Sequence, residues 1–350
     1  MSLTLTVDGE RWRSHLRSVA ETNPGLVPVV KGNGYGLTLG RLARRSEWLG
    51  VDTIAVGTYT ELPDVAQRFS GSLVVLTPWR PFVDELDPAL AARVIHTLGR
   101  VADVEALLAR DPRARFVLEL RTSMVRHGFL ARELWEAADR LRQHPGARLE
   151  GLALHLPLDQ GSHLGEVRRL LNDAVAAGLD GLDTIWISHL VGAELEWLRS
   201  AYGDFRIRPR VGTALWLGDR SALRVTSTVL DVHRVDRGDV FGYRGRTAPR
   251  SGHLLVVSGG TAHGIGLESP TGESSLRARA ATLARGGLDA AGFVRSPFSI
   301  DAKLRLFAEP PHMQASMLFV PGGTRVPEIG EQIDVRVRYT ATSFDRIVVT

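Results

Sequence analysis

Residues 26–36 read LVPVVKGNGYG, an apolar run that ends at Lys31 and continues into a glycine-rich turn. Seven further apolar runs follow it, and segments with apolar positions three and four apart lie between most of them. Apolar strands that alternate with amphipathic helices are typical of a parallel sheet covered by helices. The other runs are residues 52–58, 72–78, 93–98, 115–122, 149–156, 183–190 and 205–217, and the clearest helical segments are 131–146, 163–178 and 191–203.

Eight strand–helix units predict an α/β fold, a closed (β/α)8 TIM-type barrel. Eight units in about 200 residues suit a closed barrel better than an open sheet. An open, doubly wound sheet is the alternative that the same pattern allows.

The pattern changes near residue 224, after which strand-like runs continue without long helices. This texture predicts a separate, mainly β domain, with an exposed loop at the glycine- and arginine-rich segment 237–252. We therefore expect a barrel over residues 1–223 and a mainly β domain over 224–350. The strand-like runs are residues 224–235, 253–260, 316–320 and 332–349.

The composition is that of a folded protein, with 44% hydrophobic and 23% charged residues in a chain of 350. Cysteine is absent, which excludes disulfides, thiolate metal sites and a cysteine nucleophile. No apolar run approaches the roughly 18 residues of a membrane span, and the N-terminus lacks the basic-then-apolar order of a signal peptide. We expect a cytoplasmic protein without membrane association.

The basic residues are almost all arginine: the net charge is +4, and lysine occurs only at Lys31 and Lys303. Because the arginines are interspersed with acidic residues, we expect no nucleic-acid partner. A lysine in such a chain is a candidate for chemistry that arginine cannot perform, and Schiff-base formation requires a primary amine. Chance is the alternative explanation for either lysine.

Lys31 also stands where a barrel carries its function, at the carboxyl end of the first strand. Partial desolvation there favours the nucleophilic, uncharged amine. The GNGYG turn lets backbone approach a ligand closely, and Tyr35 offers a hydroxyl to a phosphate. The alternative is a surface lysine followed by an ordinary turn.

Four motifs in this chain are similar to those of the alanine racemase family. VPVVKGNGYGLTLGRLA (27–43) resembles the family's V-K-A-N-A-Y-G-H-G signature, whose lysine carries pyridoxal 5′-phosphate (PLP). FVLELRTSMVRHGF (116–129) resembles the strand with D-T-G-M-G-R-L-G, and RPRVGTALWLGD (208–219) resembles R-P-G-I-A-L-Y-G. GGTAHG (259–264) stands in the place of G-Y-A-D-G. The resemblance covers nearly the whole chain and is stronger in its first half.

The resemblance implies how PLP is bound. Lys31 would carry the cofactor through a Schiff base and act as base on one face of the substrate. Tyr35 would bind the phosphate together with backbone N–H groups of Gly212 and Thr213. Arg210 would donate to the pyridine nitrogen, which favours reversible proton transfer over transamination.

Further residues match the family with differing strength. Arg126 corresponds to the arginine near the substrate carboxylate, and Met313 to the residue whose backbone N–H faces that carboxylate. His155 corresponds to the histidine at the cofactor ring, although a histidine at a strand end is often only a satisfied polar residue. Ser188 is a substitute for a phosphate-binding serine whose own position is Ala193.

The second catalytic base is where the chain departs from the family. Racemisation needs a proton acceptor on each face of the substrate carbon, and the family uses the tyrosine of G-Y-A-D-G from the partner subunit. Here Thr261 takes that place, and its hydroxyl is too weak an acid to ionise and act as a base. His263 is the nearest replacement, because histidine titrates in the useful range, with Tyr243 and His312 as other candidates.

We therefore expect a PLP-dependent amino-acid racemase that interconverts L- and D-amino acids through an aldimine carbanion. The resemblance also implies a homodimer with shared active sites and a first strand that joins the C-terminal domain. Glu119 stands at the position of the family's carbamylated lysine and would supply a similar negative charge. No metal site is expected. The alternative is a PLP-binding protein of the same fold with other carbanion chemistry or little turnover, which Thr261 favours.

Overall fold

A computed structural model describes residues 2–158, 161–179, 181–190, 192–267 and 294–350. The chain divides into two compact units. Ser14–Gly218 form one, here called the barrel unit, and the residues up to Arg13 with Asp219–Thr350 form the other, here called the β unit. Among the residues described, no helix is both long enough and apolar enough to span a bilayer.

The barrel unit contains a closed ring of eight parallel strands, which confirms the predicted (β/α)8 architecture. The ring closes because β2 pairs with β9, placing Val27 beside Arg210. Each strand coincides with one of the eight apolar runs of the sequence, although β7 begins one residue before its run. The strands are β2 (Val27–Val30), β3 (Thr53–Val56), β4 (Ser72–Val75), β5 (Val94–Leu98), β6 (Arg115–Leu120), β7 (Arg148–His155), β8 (Thr184–Ser188) and β9 (Arg206–Val211).

Helices alternate with these strands, and the buried apolar residues of α5 to α8 pack against the outside of the ring. The three clearest helical segments form α6, α7 and α8, each somewhat shorter than its segment. The helices are α1 (Gly9–Thr22), α2 (Leu39–Trp48), α3 (Leu62–Ala66), α4 (Pro88–Ala91), α5 (Val101–Arg110), α6 (Ala131–Arg142), α7 (Leu164–Ala176), α8 (Ala193–Ala201) and α9 (Thr213–Leu217).

The interior of the ring is a separate apolar core, filled by one or two side chains from each of the strands β2 to β8. Successive side chains of a strand point to opposite faces, so every second residue points inward. The largest side chain in this core is that of Trp186, whose indole N–H donates to the carbonyl of Glu150. Its members are Val27, Val29, Ala55, Val74, Ile95, Val117, Ala153 and Trp186.

The β unit is built on one eight-stranded sheet in the order β13-β16-β15-β14-β17-β10-β1-β18. The strand nearest the N-terminus, β1, pairs with β10 and β18. The additional pairing of β13 with β10 closes six of the strands into a ring. The strands are β1 (Leu3–Val7), β10 (Leu223–Val235), β13 (Gly252–Ser258), β14 (Arg295–Ile300), β15 (Lys303–Phe307), β16 (Ala315–Pro321), β17 (Gln332–Val335) and β18 (Arg346–Val349).

Two details of the β unit differ from the sequence pattern. The segment expected as a loop, 237–252, contains a short hairpin of β11 (Val240–Phe241) and β12 (Arg246–Thr247). Strands β14 and β15 were not predicted. Pro297 interrupts the apolar pattern of the first, and charged residues interrupt that of the second, so neither has a continuous apolar run.

Candidate active site

Lys31, predicted from the sequence to be catalytic, continues the inward-facing row of β2. Val27 and Val29 belong to the barrel interior, and Lys31 is the next residue in the same two-residue period. In parallel strands all carboxyl ends meet at one face of the barrel. Lys31 therefore stands in the mouth of the barrel, directly above the apolar interior, and the residue is partly accessible to solvent and partly buried.

The same period places polar side chains from other strands in this layer. Glu119 follows Val117 of the interior core by two residues, and His155 follows Ala153 in the same way. Ser188 ends β8 and lies beside His155 in the strand register. The apolar interior thus gives way, within one layer, to a polar mouth.

A carboxylate holds the ends of the first two barrel strands together beside Lys31. One oxygen of Glu61 accepts from the Gly32 N–H at 2.8 Å, and the other accepts from the Gly57 N–H at 2.7 Å. A Cβ on Gly57 would lie 3.0 Å from both Glu61 Oε2 and Lys31 Cβ. Glycine at position 57 is therefore what allows this close approach of lysine and carboxylate.

Partial burial lowers the pKa of Lys31 below its ordinary value. The positive charge of Arg126 also lowers it, Glu61 opposes both, and Arg210 adds a smaller lowering. A lowered pKa increases the fraction of uncharged amine, which is the nucleophilic form.

The glycine-rich turn after Lys31 places Tyr35 against Gly212, the residue that follows β9. Tyr35 is buried and has a φ of +55°, and three glycines of the turn also have positive φ. Its hydroxyl lies so close to Gly212 that a Cβ there would be 2.2 Å from the oxygen. Burial, followed by the charge of Glu61, raises the pKa of Tyr35, which keeps it a hydroxyl donor.

Gly212 and Thr213 form the start of α9, immediately after β9. The first backbone N–H groups of a helix have no partner within the helix and can donate to an anion. The Tyr35 hydroxyl and this turn therefore present hydrogen-bond donors at one place.

Arg210 is buried, at 4% exposure, and donates to the carbonyl oxygen of Leu154 at 2.9 Å. Among the described residues its Nε has no hydrogen-bond partner. Burial raises the pKa of the nearby Glu119, and the charges of Arg210 and Arg126 oppose that rise. A buried donor without a partner is costly, which is typical of a group that binds a ligand.

Arg126 lies in the loop after β6 and is exposed. The loop is anchored at its base, where the Thr122 hydroxyl donates to the carbonyl of His155 at 2.7 Å and Ser123 is hydrogen-bonded to Glu166. The residue before the arginine, Val125, has a φ of +50°. A β-branched residue in that region is strained, and such strain often accompanies functional loops.

His155 and His189 lie side by side, with ring centroids 4.8 Å apart. Burial, together with Arg210, Arg126, His189 and Lys31, lowers the pKa of His155 to about 3. Burial lowers the pKa of His189 as well, and its Nδ1 is 2.7 Å from the carbonyl oxygen of Leu156. Both rings are therefore neutral near pH 7.

The remaining predicted residues belong to the β unit. His263 is buried, its Nδ1 accepts from the Gly260 N–H at 3.2 Å, and its Nε2 is 2.9 Å from Asp345 Oδ1. Both ring nitrogens are thus engaged within the unit, which is the geometry of a structural histidine. Thr261 is exposed, and so is Met313, a residue that is 70% accessible.

Sequence reasoning missed Glu61, which contacts both strand ends beside the lysine. The signal was present as Thr58-x-x-Glu61, a pattern typical of a helix start, but its contact with Gly32 spans 29 residues. Within the described ranges no group of three or more histidine, aspartate or glutamate side chains is arranged to bind a metal ion.

The closed parallel barrel and the mainly β unit together form a fold that is shared with solved alanine racemases. The alanine racemase from Bartonella henselae, solved with covalently bound pyridoxal phosphate, matches with a TM-score of 0.74 at 16% identity over 100% of both chains. That from Streptomyces lavendulae matches with a TM-score of 0.71 at 18% identity, over 100% of this chain and 97% of the other. These likenesses establish the fold.

The family follows from the sequence matches. The model of the alanine racemase N-terminal domain matches residues 7–216, and this chain belongs to the alanine racemase family. The alanine racemase of Nitratidesulfovibrio vulgaris is 26% identical over 270 residues, 71% of this chain and 72% of the relative. That of Sorangium cellulosum is 27% identical over 286 residues, 75% of this chain and 74% of the relative.

Proposed function

We propose that this protein is a PLP-dependent amino-acid racemase. The observation that carries the proposal is the position of Lys31, a primary amine of lowered pKa in the inward layer of the barrel mouth. Its relatives, named alanine racemases, support this reaction class. An amino acid is the substrate class, and which amino acid is left open.

The donor set fits PLP. The cofactor carries an aldehyde, a phosphate and a pyridine nitrogen, so it needs an amine, a set of anion-binding donors and a ring partner. Lys31 is the amine. The Tyr35 hydroxyl with the turn at Gly212 and Thr213 supplies the donors, and the Nε of Arg210, buried without a partner in the described structure, marks an unused donor beside them. Ser188, at the end of β8, would add a hydroxyl.

PLP, when bound, supplies an electron sink that makes the α-proton of an amino acid removable. The Nζ of Lys31 would take or return that proton on one face of the α-carbon. Arg210 is a permanent cation that gives up no proton, so the pyridine nitrogen beside it would stay unprotonated. An unprotonated ring nitrogen favours return of the proton to the α-carbon. His155 is neutral because its pKa is lowered. It would pack beside the pyridine ring of the cofactor and could accept or donate a hydrogen bond without adding charge.

Arg126 would bind the substrate carboxylate. A guanidinium matches a carboxylate with two parallel hydrogen bonds, which fixes the orientation of the α-carbon. The backbone N–H of Met313 would contribute from the β unit. We further propose a cytoplasmic homodimer with shared active sites, as the resemblance to the family implies.

The Thr261 substitution favours a second candidate, a PLP-binding protein of this fold with other carbanion chemistry or little turnover. A threonine hydroxyl cannot serve as a base near neutral pH, and the geometry of His263 leaves neither ring nitrogen free. His263 as the second base therefore stays a prediction, and Tyr243 and His312 are the other candidates in the β unit.

The deciding experiment follows the α-proton and the configuration separately. The purified protein, loaded with PLP, is incubated in D2O with a panel of L- and D-amino acids, and each sample is analysed by NMR and chiral chromatography. Exchange with inversion for at least one amino acid supports the racemase. Exchange with retention, or no exchange with any member of the panel, supports the second candidate.

The role of Lys31 has its own test. Lys31→Ala should abolish the visible absorbance of bound PLP, whereas Lys303→Ala should leave it unchanged. Absorbance that survives in Lys31→Ala would exclude Lys31 as the attachment point.

A further inference from the structure

A single carboxylate, that of Glu61, joins the peptide group after Lys31 to the end of the neighbouring strand. We propose that Glu61 is the positioning residue of Lys31, which fixes where the amine stands and keeps it able to return a proton as well as to take one. The inference rests on the proposed function, because it concerns the amine that would carry PLP. Every residue that it uses belongs to the barrel unit, Ser14–Gly218.

The peptide group between Lys31 and Gly32 is held at both of its polar atoms. The carbonyl oxygen of Lys31 accepts from the Gly34 N–H at 3.1 Å, and the Gly32 N–H donates to Glu61 Oε1 at 2.8 Å. Gly32 has a φ of +61°, which glycine adopts without strain. Because β2 holds the chain on the other side of the lysine, the direction in which the Lys31 side chain leaves the backbone is fixed.

The second oxygen of the carboxylate is anchored just after β3. Oε2 of Glu61 accepts from the Gly57 N–H at 2.7 Å and from the Thr58 N–H at 3.3 Å. The carbonyl of Gly57 is held in turn by Thr77, whose N–H and hydroxyl donate to it at 2.9 and 2.7 Å. The carboxylate therefore bridges two fixed strand ends and cannot swing away from the lysine without breaking these hydrogen bonds.

The bridge also brings negative charge to the base of the lysine side chain. A Cβ on Gly57 would lie 3.0 Å from Glu61 Oε2 and 3.0 Å from Lys31 Cβ. The carboxylate and the first side-chain carbon of the lysine thus flank one small space, which glycine leaves open. A carboxylate that close favours the protonated form of an amine.

The other influences on Lys31 disfavour its positive charge. Burial lowers the pKa of Lys31, and the charges of Arg126 and Arg210 lower it too, whereas the charge of Glu61 raises it. Arg126 follows β6 and Arg210 belongs to β9, so the two cations come from different strands. Glu119 is another carboxyl of the mouth, but it faces the arginines, and burial raises its pKa. Glu61 is therefore the group that offsets the two cations at the lysine.

The aromatic rings that face the lysine are uncharged near pH 7. Burial lowers the pKa of His155 and of His189, and the charge of Lys31 adds to both effects. Burial, followed by the charge of Glu61, raises the pKa of Tyr35. These three rings supply no counter-charge that could replace the carboxylate.

The proposed reaction needs both protonation states of this amine. Lys31 Nζ takes the α-proton in one direction and returns it in the other, so the amine and the ammonium must both be accessible near the working pH. Cofactor attachment needs the amine. Its lone pair attacks the aldehyde carbon, a C=N bond replaces the C=O bond, and the oxygen leaves as water with the two protons of the amine.

The test follows capture of PLP by the apoprotein, which requires Lys31 but no racemisation. Apoprotein and PLP are mixed over a range of pH, and the rise of the visible absorbance gives the rate of capture. The plateau of that rate at high pH reports how well the amine is positioned. The midpoint of its rise with pH reports the protonation of Lys31.

Two variants separate position from charge. Glu61→Gln removes the charge and keeps one acceptor oxygen, so the midpoint should move to lower pH. Glu61→Asp keeps the charge but is one methylene too short to reach both Gly32 and Gly57, so its midpoint should stay closer to that of wild type. The plateau should fall in both variants by about 10- to 100-fold, the scale expected when a reacting group is misplaced by about 1 Å.

Glu47→Gln is the matched control. The carboxylate of Glu47 also joins two segments, because it accepts from the N–H and the hydroxyl of Ser70 at 2.9 and 2.8 Å. It is not among the groups that shift the pKa of Lys31. The plateau and the midpoint of this variant should both equal those of wild type.

The outcomes separate the two proposals. Wild-type apoprotein that gains no visible absorbance with PLP overturns the cofactor assignment and this inference together. Wild-type protein that captures PLP but inverts no amino acid overturns the racemase, and the capture rates of the variants still decide the role of Glu61. A midpoint that does not move in Glu61→Gln, or a plateau that falls equally in Glu47→Gln, overturns this inference alone.

Discussion

The hydroxyl of Tyr35 occupies the space that a side chain at position 212 would need, since a Cβ on Gly212 would lie 2.2 Å from that oxygen. The two residues are 177 positions apart in the chain, and the pairing of β2 with β9 brings them together. The first prediction concerns this contact. Gly212→Ala should displace the Tyr35 hydroxyl and weaken PLP binding by about 10- to 100-fold, the loss expected for one or two hydrogen bonds to an anion.

The measurement is a titration of the apoprotein with PLP, followed by absorbance. Gly203→Ala is the control, because a Cβ at Gly203 meets no atom within 4 Å and its φ is not positive. Equal dissociation constants for Gly212→Ala and wild type would show that the contact has no part in binding the cofactor.

The second prediction concerns the charge balance at Lys31. Glu61 raises the pKa of this ammonium while burial, Arg126 and Arg210 lower it. Glu61→Gln removes the raising influence, so the pKa of Lys31 should fall further below 10.5, its ordinary value. Because the chain has only two lysines, ¹³C-lysine labelling gives two NMR signals, which Lys31→Ala and Lys303→Ala assign.

The titration should show Lys31 below its ordinary pKa in the wild-type apoprotein and lower again in the variant. A Lys31 pKa that rises in Glu61→Gln would mean that the carboxylate acts mainly through its hydrogen bonds to Gly32 and Gly57, and the electrostatic account would be wrong.

The third prediction concerns backbone strain before Arg126. Val125 has a φ of +50° and is 68% exposed, so its side chain contributes little packing to offset the strain. Val125→Gly should raise the free energy of unfolding by about 1 kcal/mol, since glycine adopts this region freely. Denaturant unfolding measures the effect.

Val240→Gly is the matched control, because Val240 is 70% exposed but lies in a strand and has no positive φ. There the substitution should lower stability, since glycine loses more conformational entropy on folding. Destabilisation in both variants would show that position 125 is not strained in solution.

The fourth prediction concerns acid stability. His96, in β5, is 8% exposed, its Nδ1 lies 2.8 Å from the Tyr59 hydroxyl, and burial lowers its pKa to about 4. Asp111 partly opposes that lowering. Between pH 6.5 and about 4 the unfolded chain therefore binds a proton at this residue that the folded protein does not bind.

The stability contribution of neutral His96 is present above pH 6.5 and is lost as the pH falls toward 4. The slope is on the order of 1 kcal/mol per pH unit for this one group. His96→Gln should flatten the decline of the unfolding free energy in that window. An unchanged slope in the variant would assign acid sensitivity to other groups.

Much of the fold and part of the site could be predicted from the sequence, because both depend on short periods. The eight apolar runs specify eight buried parallel strands, and a strand's two-residue period continues from Val27 and Val29 to Lys31. The glycines of the turn allow Tyr35 its positive φ. Strands β14 and β15 were missed because their apolar pattern is interrupted.

The contacts that tune the site could not be predicted, because each joins residues far apart in the chain. Glu61 reaches Gly32 only because β2 and β3 are neighbours, and Glu309 reaches Tyr243 across 66 residues. His263 was the first choice for a second base because of its place in a motif, yet its hydrogen bonds to Gly260 and Asp345 depend on packing within the β unit.

Local pattern thus specifies which residues form strands and which side chains point into the barrel, because backbone geometry repeats every two residues. Burial, pKa and hydrogen-bond partners depend on what surrounds a side chain in space. His312 and His263 are the same residue type, but their surroundings in the folded protein differ. Both ring nitrogens of His263 are hydrogen-bonded within the unit, whereas the partly exposed ring of His312 lies beside the buried carboxylate of Glu309.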